Sequence, residues 1–366
     1  MTAIVDMLIL LGLGACEWFL TRLYPFVYSR TGRDNPRTGH IAGMTYYMLR
    51  NAWITMNNIN SWLAGDRYLF PEVLQIQTIN RCNASCAMCP YPYTIHLQSR
   101  VVMNDELYTK IAEECASEKT FKVFVPMSKN EPLLDARLEE RVSEFKKLAK
   151  PHQVVELVTN GSALTPARFE RLVNSGVDLL TISLSAYTEA TYNRLMQGLS
   201  WKHIRQNLNA MLASPLLSKI NIFLRFIIQK GNEAEYPAFR RYWKKRGLNV
   251  AGFEISNRSG TLKGYDLLEL PKNFFIRRLR KVMGQRYYKG LCPHAFSIMH
   301  ILENGDVPLC ANDWENREWL GNVRQSSLRE IYNSPRIAEI RELMKQARYD
   351  EISPCADCSY RKEWIS

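Results

Sequence analysis

The feature that most constrains the fold of this chain is an alternation of short β-rich runs with helical stretches from residue 73 onward. The β-rich runs cover residues 74–79, 122–126, 154–158, 179–184, 220–228 and 252–255. Stretches long enough for crossover helices lie at residues 105–117, 135–149, 166–175 and 233–246. Repeated strand–helix units predict a parallel sheet with right-handed connections, either a partial barrel or an open doubly wound sheet. Six units are too few to close an eight-stranded barrel.

The pattern differs at the two ends of the chain. Residues 39–69 show an irregular helical periodicity that Pro71 stops, which predicts a helical extension over residues 1–70. After Gly260 a basic helical stretch leads to an Asn304-Gly305 pair, which is a hairpin signal between residues 297–302 and 307–310. We therefore divide the chain into the extension, a core over residues 71–260 and a small α+β domain over residues 261–366.

The N-terminus contains an almost unbroken apolar run at residues 7–16, bounded by Asp6 and Glu17. It is shorter than the roughly 20 apolar residues that a membrane-spanning helix needs. It also lacks the positive leader of a signal peptide, because its arginines follow the run. Two readings stay open, an in-plane helix on a membrane surface and a helix packed against the protein or a partner.

The net charge and the cysteine pattern indicate which partners and which redox compartment suit the chain. The formal net charge of +12 attracts nucleic acid, an anionic membrane or an acidic substrate, and it does not choose among them. The nine cysteines form a group of three, a group of four and two singles, Cys16 and Cys115, unlike a secreted disulfide framework. A reducing cytoplasm fits this pattern, with peripheral membrane contact left open.

The group of three follows the first predicted strand in a CxxxCxxC loop formed by Cys82, Cys86 and Cys89. Ligands gather at the carboxyl ends of strands in parallel strand–helix folds, so the position suits chemistry. Three thiolates can hold zinc with a fourth ligand, or three irons of a four-iron cluster. Zinc sites usually supply two CxxC pairs, and this triplet stands alone, which favours iron and sulfide.

This loop closely resembles the signature of the radical SAM superfamily, whose members use S-adenosylmethionine (SAM). The segment from Ser128 to Pro132 is similar to the family's Gly-Gly-Glu-Pro element, which contacts the SAM amino group, with Lys129 and Asn130 in place of the glycines. The resemblance runs from residue 73 to residue 260 and implies a partial (β/α)6 TIM-like barrel. It implies SAM contacts at Met88, Asn130, Glu131, Pro132, Asn160, Ser183, Ser185, Arg225 and Asn257.

The group of four, Cys292, Cys310, Cys355 and Cys358, lies in a segment that resembles the SPASM and twitch domains of radical SAM enzymes. Those domains hold auxiliary clusters, and four cysteines suit one fully ligated four-iron cluster. When the residues are considered without the resemblance, a four-thiolate zinc site is the alternative. His294, beside Cys292, is the one histidine that we single out.

The resemblance implies SAM and two 4Fe–4S clusters as cofactors, a 5'-deoxyadenosyl radical as the reactive species, and a flavodoxin- or ferredoxin-type electron donor. Our leading hypothesis is an oxidoreductase that acts on a polar small molecule. The alternatives are a peptide or protein maturase, a lipid-modifying enzyme at a membrane, and a zinc-dependent nucleic-acid binder. Peptide maturases often carry an N-terminal domain with strands, whereas residues 1–70 read as helical, so a small molecule is favoured. No nucleic acid is expected, and no catalytic residue is assigned beyond the cluster ligands.

Overall fold

The computed structural model describes residues 69–97, 101–271, 290–292 and 294–364, together with positions 59, 62, 63 and 65. The predicted helical extension at residues 1–70 and the basic stretch at 272–289 therefore lie largely outside the described residues. Of the extension, Ile59, Trp62 and Leu63 are helical. The Trp62 ring packs edge-on against Phe296, with 5.2 Å between the ring centroids, so this short part contacts the C-terminal region.

Seven strands form one open parallel sheet in the order β6-β5-β4-β3-β2-β1-β7. The strands are β1 (Val73–Ile76), β2 (Val123–Val125), β3 (Val154–Thr159), β4 (Leu179–Ser183), β5 (Asn221–Ile228), β6 (Asn249–Glu254) and β7 (Ile298–Ile301). The sheet does not close, so the predicted partial α/β barrel is confirmed.

Helices connect successive strands and cover one face of the sheet. They are α1 (Tyr91–Thr94), α2 (Asp105–Ser117), α3 (Leu138–Leu148), α4 (Pro166–Ser175), α5 (Glu189–Leu195), α6 (Trp201–Leu212), α7 (Tyr236–Lys244) and α8 (Tyr265–Leu268). The side chains of Asn104, Thr165 and Ser200 accept backbone N–H groups at the starts of α2, α4 and α6. Such caps satisfy donors that the first helical turn leaves unpaired.

Strand pleating separates a helix-covered face from an inner face. Leu74, Phe124 and Val155 lie in the main hydrophobic core beneath the helices. Their neighbours Val123 and Val154 belong to a separate small apolar cluster, because successive side chains point to opposite faces. Strand register then places several polar side chains on this inner face: Gln75, Glu156, Thr181, Ser183, Arg225 and His300.

The C-terminal region supplies the seventh strand and a layer of its own. After α9 (His294–Ser297), β7 pairs in parallel with β1, and β8 (Asp306–Pro308) pairs antiparallel with β9 (Trp319–Asn322). The remaining helices are α10 (Leu328–Tyr332), α11 (Pro335–Lys345), α12 (Ser353–Ala356) and α13 (Ser359–Trp364). A second hydrophobic cluster, which includes Phe296, Ile340 and Tyr349, holds this layer together.

The predicted hairpin at Asn304-Gly305 differs from the structure in its strand pairing. The turn is present, since the N–H of Leu302 donates to the carbonyl of Asp306 at 2.9 Å. Its first arm, however, joins the main sheet beside β1, and its second arm pairs with β9. The physical reason is burial, because Met299 and Ile301 alternate with His300 and fill the main core. The domain boundary at residue 260 stays a prediction.

Candidate functional site

The loop that carries Cys82, Cys86 and Cys89 follows β1 and is tied to its surroundings mainly by backbone hydrogen bonds. The N–H groups of Ser85 and Ala87 donate to the carbonyls of Gln197 and Leu195, at 2.8 and 2.9 Å. The N–H of Cys82 donates to the Tyr91 hydroxyl at 2.9 Å. These contacts fix the path of the loop at the carboxyl end of the sheet.

The three thiols form one electrostatic group. The pKa of the Cys82 thiol is raised to about 12, chiefly by burial and also by the neighbouring Glu131 and Cys89, while a backbone N–H from Ala84 opposes the increase. The pKa of Cys86 is raised by burial and then by Cys89 and Cys82. Three clustered thiols with high pKa values become thiolates when a positive centre joins them. The donor set therefore fits a cationic metal cluster.

Glu131 stands where the sequence predicts a SAM contact, and it also organises the site. Its Oε1 accepts hydrogen bonds from the Thr159 hydroxyl at 2.5 Å and the Leu133 N–H at 3.1 Å. Its Oε2 accepts from the Asn160 N–H at 2.7 Å. The carboxylate thus joins the segment after β2 to the end of β3. Since each oxygen has two lone pairs, one position on Oε2 is left for a further donor.

Asparagine side chains extend this arrangement to the cysteine loop. Asn160 donates from Nδ2 to Oδ1 of Asn83 at 3.0 Å, and Asn83 donates in turn to the Ser162 hydroxyl at 2.9 Å. Asn130 accepts from the Ser128 N–H through Oδ1, and its buried Nδ2 has no hydrogen-bond partner among the described residues. A buried amide nitrogen without a partner is costly, so Nδ2 marks a place for a ligand acceptor.

Four more residues are predicted to contact SAM. Met88 is buried in the main core, and Pro132 begins the short 3-10 helix Pro132–Leu134. Ser183 is opposite Arg225 in strand register, and the Arg225 guanidinium lies 4.7 Å from the centre of the Phe253 ring. The Nε of Arg225 is buried and has no hydrogen-bond partner among the described residues. These four assignments stay predictions.

Two predicted SAM residues are already engaged in structural contacts. The Ser185 hydroxyl accepts from the Ile227 N–H at 3.1 Å. Asn257 donates from Nδ2 to the Asp357 carbonyl at 2.6 Å, and its Oδ1 accepts from the Ser359 N–H at 2.9 Å. Asn257 therefore holds the segment that carries Cys355 and Cys358. Its contact with SAM stays a prediction.

The second group of cysteines lines one cavity. Its walls include all four thiols, together with His294, Ser259, Asn312 and Arg361. Burial is the main cause that raises the pKa of Cys292 and of Cys310, the latter to about 12, and Cys358 contributes to both increases. The N–H of Asn312 donates to the sulfur of Cys310 at 3.4 Å. Four clustered thiols with N–H donors fit a fully ligated iron–sulfur cluster, whose potential responds to such bonds.

Neither thiol group is drawn tightly around a single point. Among the residues that the structure describes, no set of three or more His, Cys, Asp or Glu side chains could hold one metal ion. The eight cysteines within the described residues are all free of disulfides. A four-iron cluster does not need ligands that converge on one ion, because each of its thiolates binds a different iron.

Two residues that the sequence did not single out join the radical SAM core to the turn that follows Cys310. Lys129 donates from Nζ to the Asp313 carbonyl and to Asn316 Oδ1, both at 2.5 Å. Arg258 donates from Nη1 to Asn312 Oδ1 at 3.0 Å. Lys129 stands where the resembling motif has a glycine, and this departure is the signal that could have identified it. Arg258 was visible only as part of the segment after β6.

A buried carboxylate beside Lys129 gives the protein a pH-dependent stability. Burial raises the pKa of Glu303 from 4.5 to about 7, although the Gln77 amide donates to its Oε2 at 2.7 Å. The folded state therefore binds this proton more tightly than the unfolded state. The stabilising contribution is fully present below pH 4.5 and is lost as the pH rises through about 7.

We expect Glu303→Gln to remove this dependence, since the variant amide oxygen can still accept from Gln77. Between pH 4.5 and 8 the wild type should lose up to about 3 kcal/mol of unfolding free energy relative to the variant. Denaturant unfolding of both proteins across this range measures the difference. A constant difference at every pH would contradict the assignment.

Two family models match this chain. The model of the radical SAM superfamily matches residues 76–225, and the model of the SPASM iron–sulfur cluster-binding domain matches residues 292–359. Together they account for more than half of the chain and include both thiol groups. The chain belongs to the radical SAM superfamily. The predicted family is thus confirmed, and this radical SAM chain uses SAM and 4Fe–4S clusters as cofactors.

Curated relatives of this radical SAM protein are distant. It is 22% identical to a tungsten-containing aldehyde ferredoxin oxidoreductase cofactor-modifying protein of Pyrococcus furiosus, over 79% of this chain and 88% of that protein. It is 26% identical to the PqqA peptide cyclase of Gluconobacter oxydans, over 54% of this chain and 55% of that protein. The chain thus spans just over half the length of the second relative.

Solved structures confirm the fold. Streptococcus suis SuiB bound to precursor peptide SuiA superposes with a TM-score of 0.59 at 15% identity, over 88% of this chain and 76% of that chain. BtrN in complex with AdoMet and 2-DOIA superposes with a TM-score of 0.54 at 16% identity, over 79% of this chain and 93% of that chain.

No helix within the described residues is long and apolar enough to span a membrane.

The cysteine loop offers a sharp test of how the radical SAM core is held. Gly198 has a φ of +83°, and a Cβ there would lie 2.9 Å from the carbonyl oxygen of Asn83. Gly247 has a φ of +85° with nothing within 4 Å of its Cβ position. Alanine at either position strains the backbone by about 1–2 kcal/mol, but only Gly198→Ala also displaces the loop.

We expect Gly198→Ala to retain less iron after reconstitution than Gly247→Ala, because Asn83 directly follows Cys82. Both variants should show a similar loss of unfolding free energy from the strained φ, with an additional loss for Gly198→Ala. Iron analysis and thermal unfolding of the pair separate the two effects. Equal iron retention in both variants would show that the loop is not held by this contact.

Proposed function

We propose that Cys82, Cys86 and Cys89 bind three irons of a 4Fe–4S cluster, and that SAM binds the fourth iron. The observation that carries this proposal is the cluster of three half-buried free thiols in the loop that follows the carboxyl end of β1. An incomplete thiolate set leaves one iron open for a ligand. With SAM held there, the reduced cluster would supply the one electron that cleaves SAM into methionine and a 5'-deoxyadenosyl radical, and this radical would abstract hydrogen from the substrate.

The chain's own residues would position SAM and exclude water. Glu131 offers a free acceptor position for the SAM ammonium, and a charge-assisted hydrogen bond of this kind is about twice as strong as a neutral one. Asn130 offers its unpartnered Nδ2, and Arg225 offers its unpartnered Nε to the SAM carboxylate. Orientation matters here, since a reactive radical attacks whichever group lies nearest.

The four thiols of the second cavity would ligate every iron of an auxiliary cluster. Such a cluster has no open iron for substrate, which fits an electron acceptor. We therefore propose a net oxidation, in which the substrate radical passes one electron to the auxiliary cluster and releases a proton. Redox-neutral turnover by a variant that lacks this cluster would contradict the electron-acceptor role.

The polar side chains on the inner face of the sheet favour a polar substrate. Glu156, Arg225 and His300 lie on this face, and neither ring nitrogen of His300 has a hydrogen-bond partner among the described residues. The His300 ring nitrogens need hydrogen-bond partners, and a polar small molecule would supply them. A flavodoxin- or ferredoxin-type protein would supply the electron for SAM cleavage.

A peptide substrate is the second candidate, because the descriptions of two similar proteins name a peptide. SuiB is bound to precursor peptide SuiA, and the Gluconobacter oxydans relative is a PqqA peptide cyclase. Deuterium transfer separates the two candidates. The reconstituted enzyme is incubated with SAM, a strong reductant and fractions of deuterated cell extract. Our proposal predicts deuterium in 5'-deoxyadenosine from the small-molecule fraction, and transfer only from the peptide fraction would favour the alternative.

A further inference from the structure

The side chain of Lys129 leaves the segment after β2, which carries three predicted SAM contacts, and enters the C-terminal layer. Its Nζ donates to the carbonyl of Asp313 and to Oδ1 of Asn316, both at 2.5 Å. Lys129 is buried, with 3% of its surface exposed, and its ammonium lies 5.7 Å from the centre of the Trp314 ring. A buried ammonium needs hydrogen-bond acceptors in place of water, so these two bonds hold Lys129 in this position.

The turn that receives Lys129 begins at Cys310. The N–H of Asp313 donates to the Cys310 carbonyl at 3.1 Å, and the N–H of Asn316 donates to the Asp313 carbonyl at 3.3 Å. Both oxygens of the Asp313 carboxylate accept from Arg317, at 2.6 Å from its N–H and at 2.9 Å from its Nε. The turn is therefore closed by its own hydrogen bonds, and the position of Cys310 is tied to that of Asp313.

The backbone of Lys129 is fixed to the residue that follows β1. Its N–H donates to Oε1 of the fully buried Gln77 at 3.0 Å. Asn130 comes next in the chain, and its buried Nδ2 has no hydrogen-bond partner among the described residues. Glu131 has a separate anchor, because its N–H donates to the Arg81 carbonyl at 2.8 Å. Asn130 is thus the predicted SAM contact whose position depends most directly on Lys129.

We propose that Lys129 is a positioning residue through which the turn of Cys310 strengthens the binding of SAM at the first site. The proposal rests on the SAM site proposed above. A ligand loses affinity when it must first order the groups that it contacts, and a segment that is already fixed avoids this cost. Lys129 would fix Asn130 from the layer that holds the second thiol group. Since coupling free energies are reciprocal, bound SAM would in turn stabilise the turn of Cys310.

The test is the dissociation constant of SAM for the reconstituted full-length protein, measured by anaerobic equilibrium dialysis without a reductant, so that SAM is not cleaved. Lys129→Met keeps the length of the side chain and removes both bonds, and it should weaken SAM binding about fivefold or more. Asn316→Gly removes one of the two bonds and tolerates the φ of +54° at this position, so its effect should be smaller. Lys245→Gln removes an exposed lysine at the end of α7 and should bind SAM as the wild type does.

Cys310→Ala separates this coupling from a local effect of Lys129→Met. Loss of the second cluster should loosen the turn, so Cys310→Ala should also weaken SAM binding. The double variant should bind SAM no more weakly than Lys129→Met alone, because both changes act through the same contact.

Unchanged SAM binding in Lys129→Met or in Cys310→Ala would overturn the proposal, as would losses that simply add in the double variant. Iron analysis accompanies each measurement. If Lys129→Met loses iron from the first cluster, Asn316→Gly takes its place, and an unchanged dissociation constant in that variant would overturn the proposal. Failure of the proposed function is separately visible, because the wild type would then not bind SAM.

Discussion

Cys86→Ala is expected to abolish SAM cleavage and to remove about four of the eight irons bound per chain, since each 4Fe–4S cluster depends on its thiolates. Cys86 lies in the middle of the first group, and the neighbouring Cys89 and Cys82 both raise its pKa. With one thiolate missing, the remaining pair cannot hold three irons of a cluster. Iron and sulfide analysis after anaerobic reconstitution, followed by quantification of 5'-deoxyadenosine, measures both effects.

Cys115→Ala is the matched control for this variant. Cys115 is a fully buried free thiol in the main hydrophobic core, in neither thiol group. Its replacement should lower the unfolding free energy by about 1 kcal/mol through lost packing and should leave the iron content and SAM cleavage unchanged. Normal SAM cleavage by Cys86→Ala, or a loss of iron in Cys115→Ala, would contradict the assignment of the first group.

Cys310→Ala is expected to separate SAM cleavage from substrate oxidation. Its sulfur accepts the Asn312 N–H and lines the second cavity with Cys292, Cys355 and Cys358. The variant should lose about four irons and keep the SAM-binding cluster, because the two thiol groups are separate. Slow formation of 5'-deoxyadenosine should continue in the presence of a strong reductant, without oxidised product.

The same Cys115→Ala control applies to Cys310→Ala. EPR of the reduced Cys310→Ala protein should show the signal of one cluster type. A full iron content in Cys310→Ala would mean that the second cavity does not hold a cluster. Loss of both clusters would mean that the two sites assemble as one unit.

The sheet could be predicted from the sequence because the signals for its strands and helices are local. Each strand and crossover helix has an apolar pattern of its own, and the parallel arrangement follows from their alternation. The two thiol groups were likewise visible as spacings. The strand order around β7 was not, because residues 298–301 read equally well as one arm of a local hairpin. Only the burial of Met299 and Ile301 beside β1 decides between the two pairings.

The long-range polar contacts were also beyond the sequence. Nothing in the segment after β2 shows that Lys129 bonds residues 313 and 316, which are nearly two hundred positions away. Asn257 was predicted to contact SAM, and the structure shows its amide bonded to the segment of Cys355 and Cys358. Such pairs depend on how two layers pack, and residue type alone does not specify the partner.

Anaerobic reconstitution of the wild-type chain tests the central claim most directly. Iron, sulfide and zinc are quantified, and SAM and a strong reductant are then added so that 5'-deoxyadenosine can be measured. We predict about eight irons per chain, in keeping with two thiolate-bound 4Fe–4S clusters, and formation of 5'-deoxyadenosine. Stoichiometric zinc without SAM cleavage would contradict the proposed function.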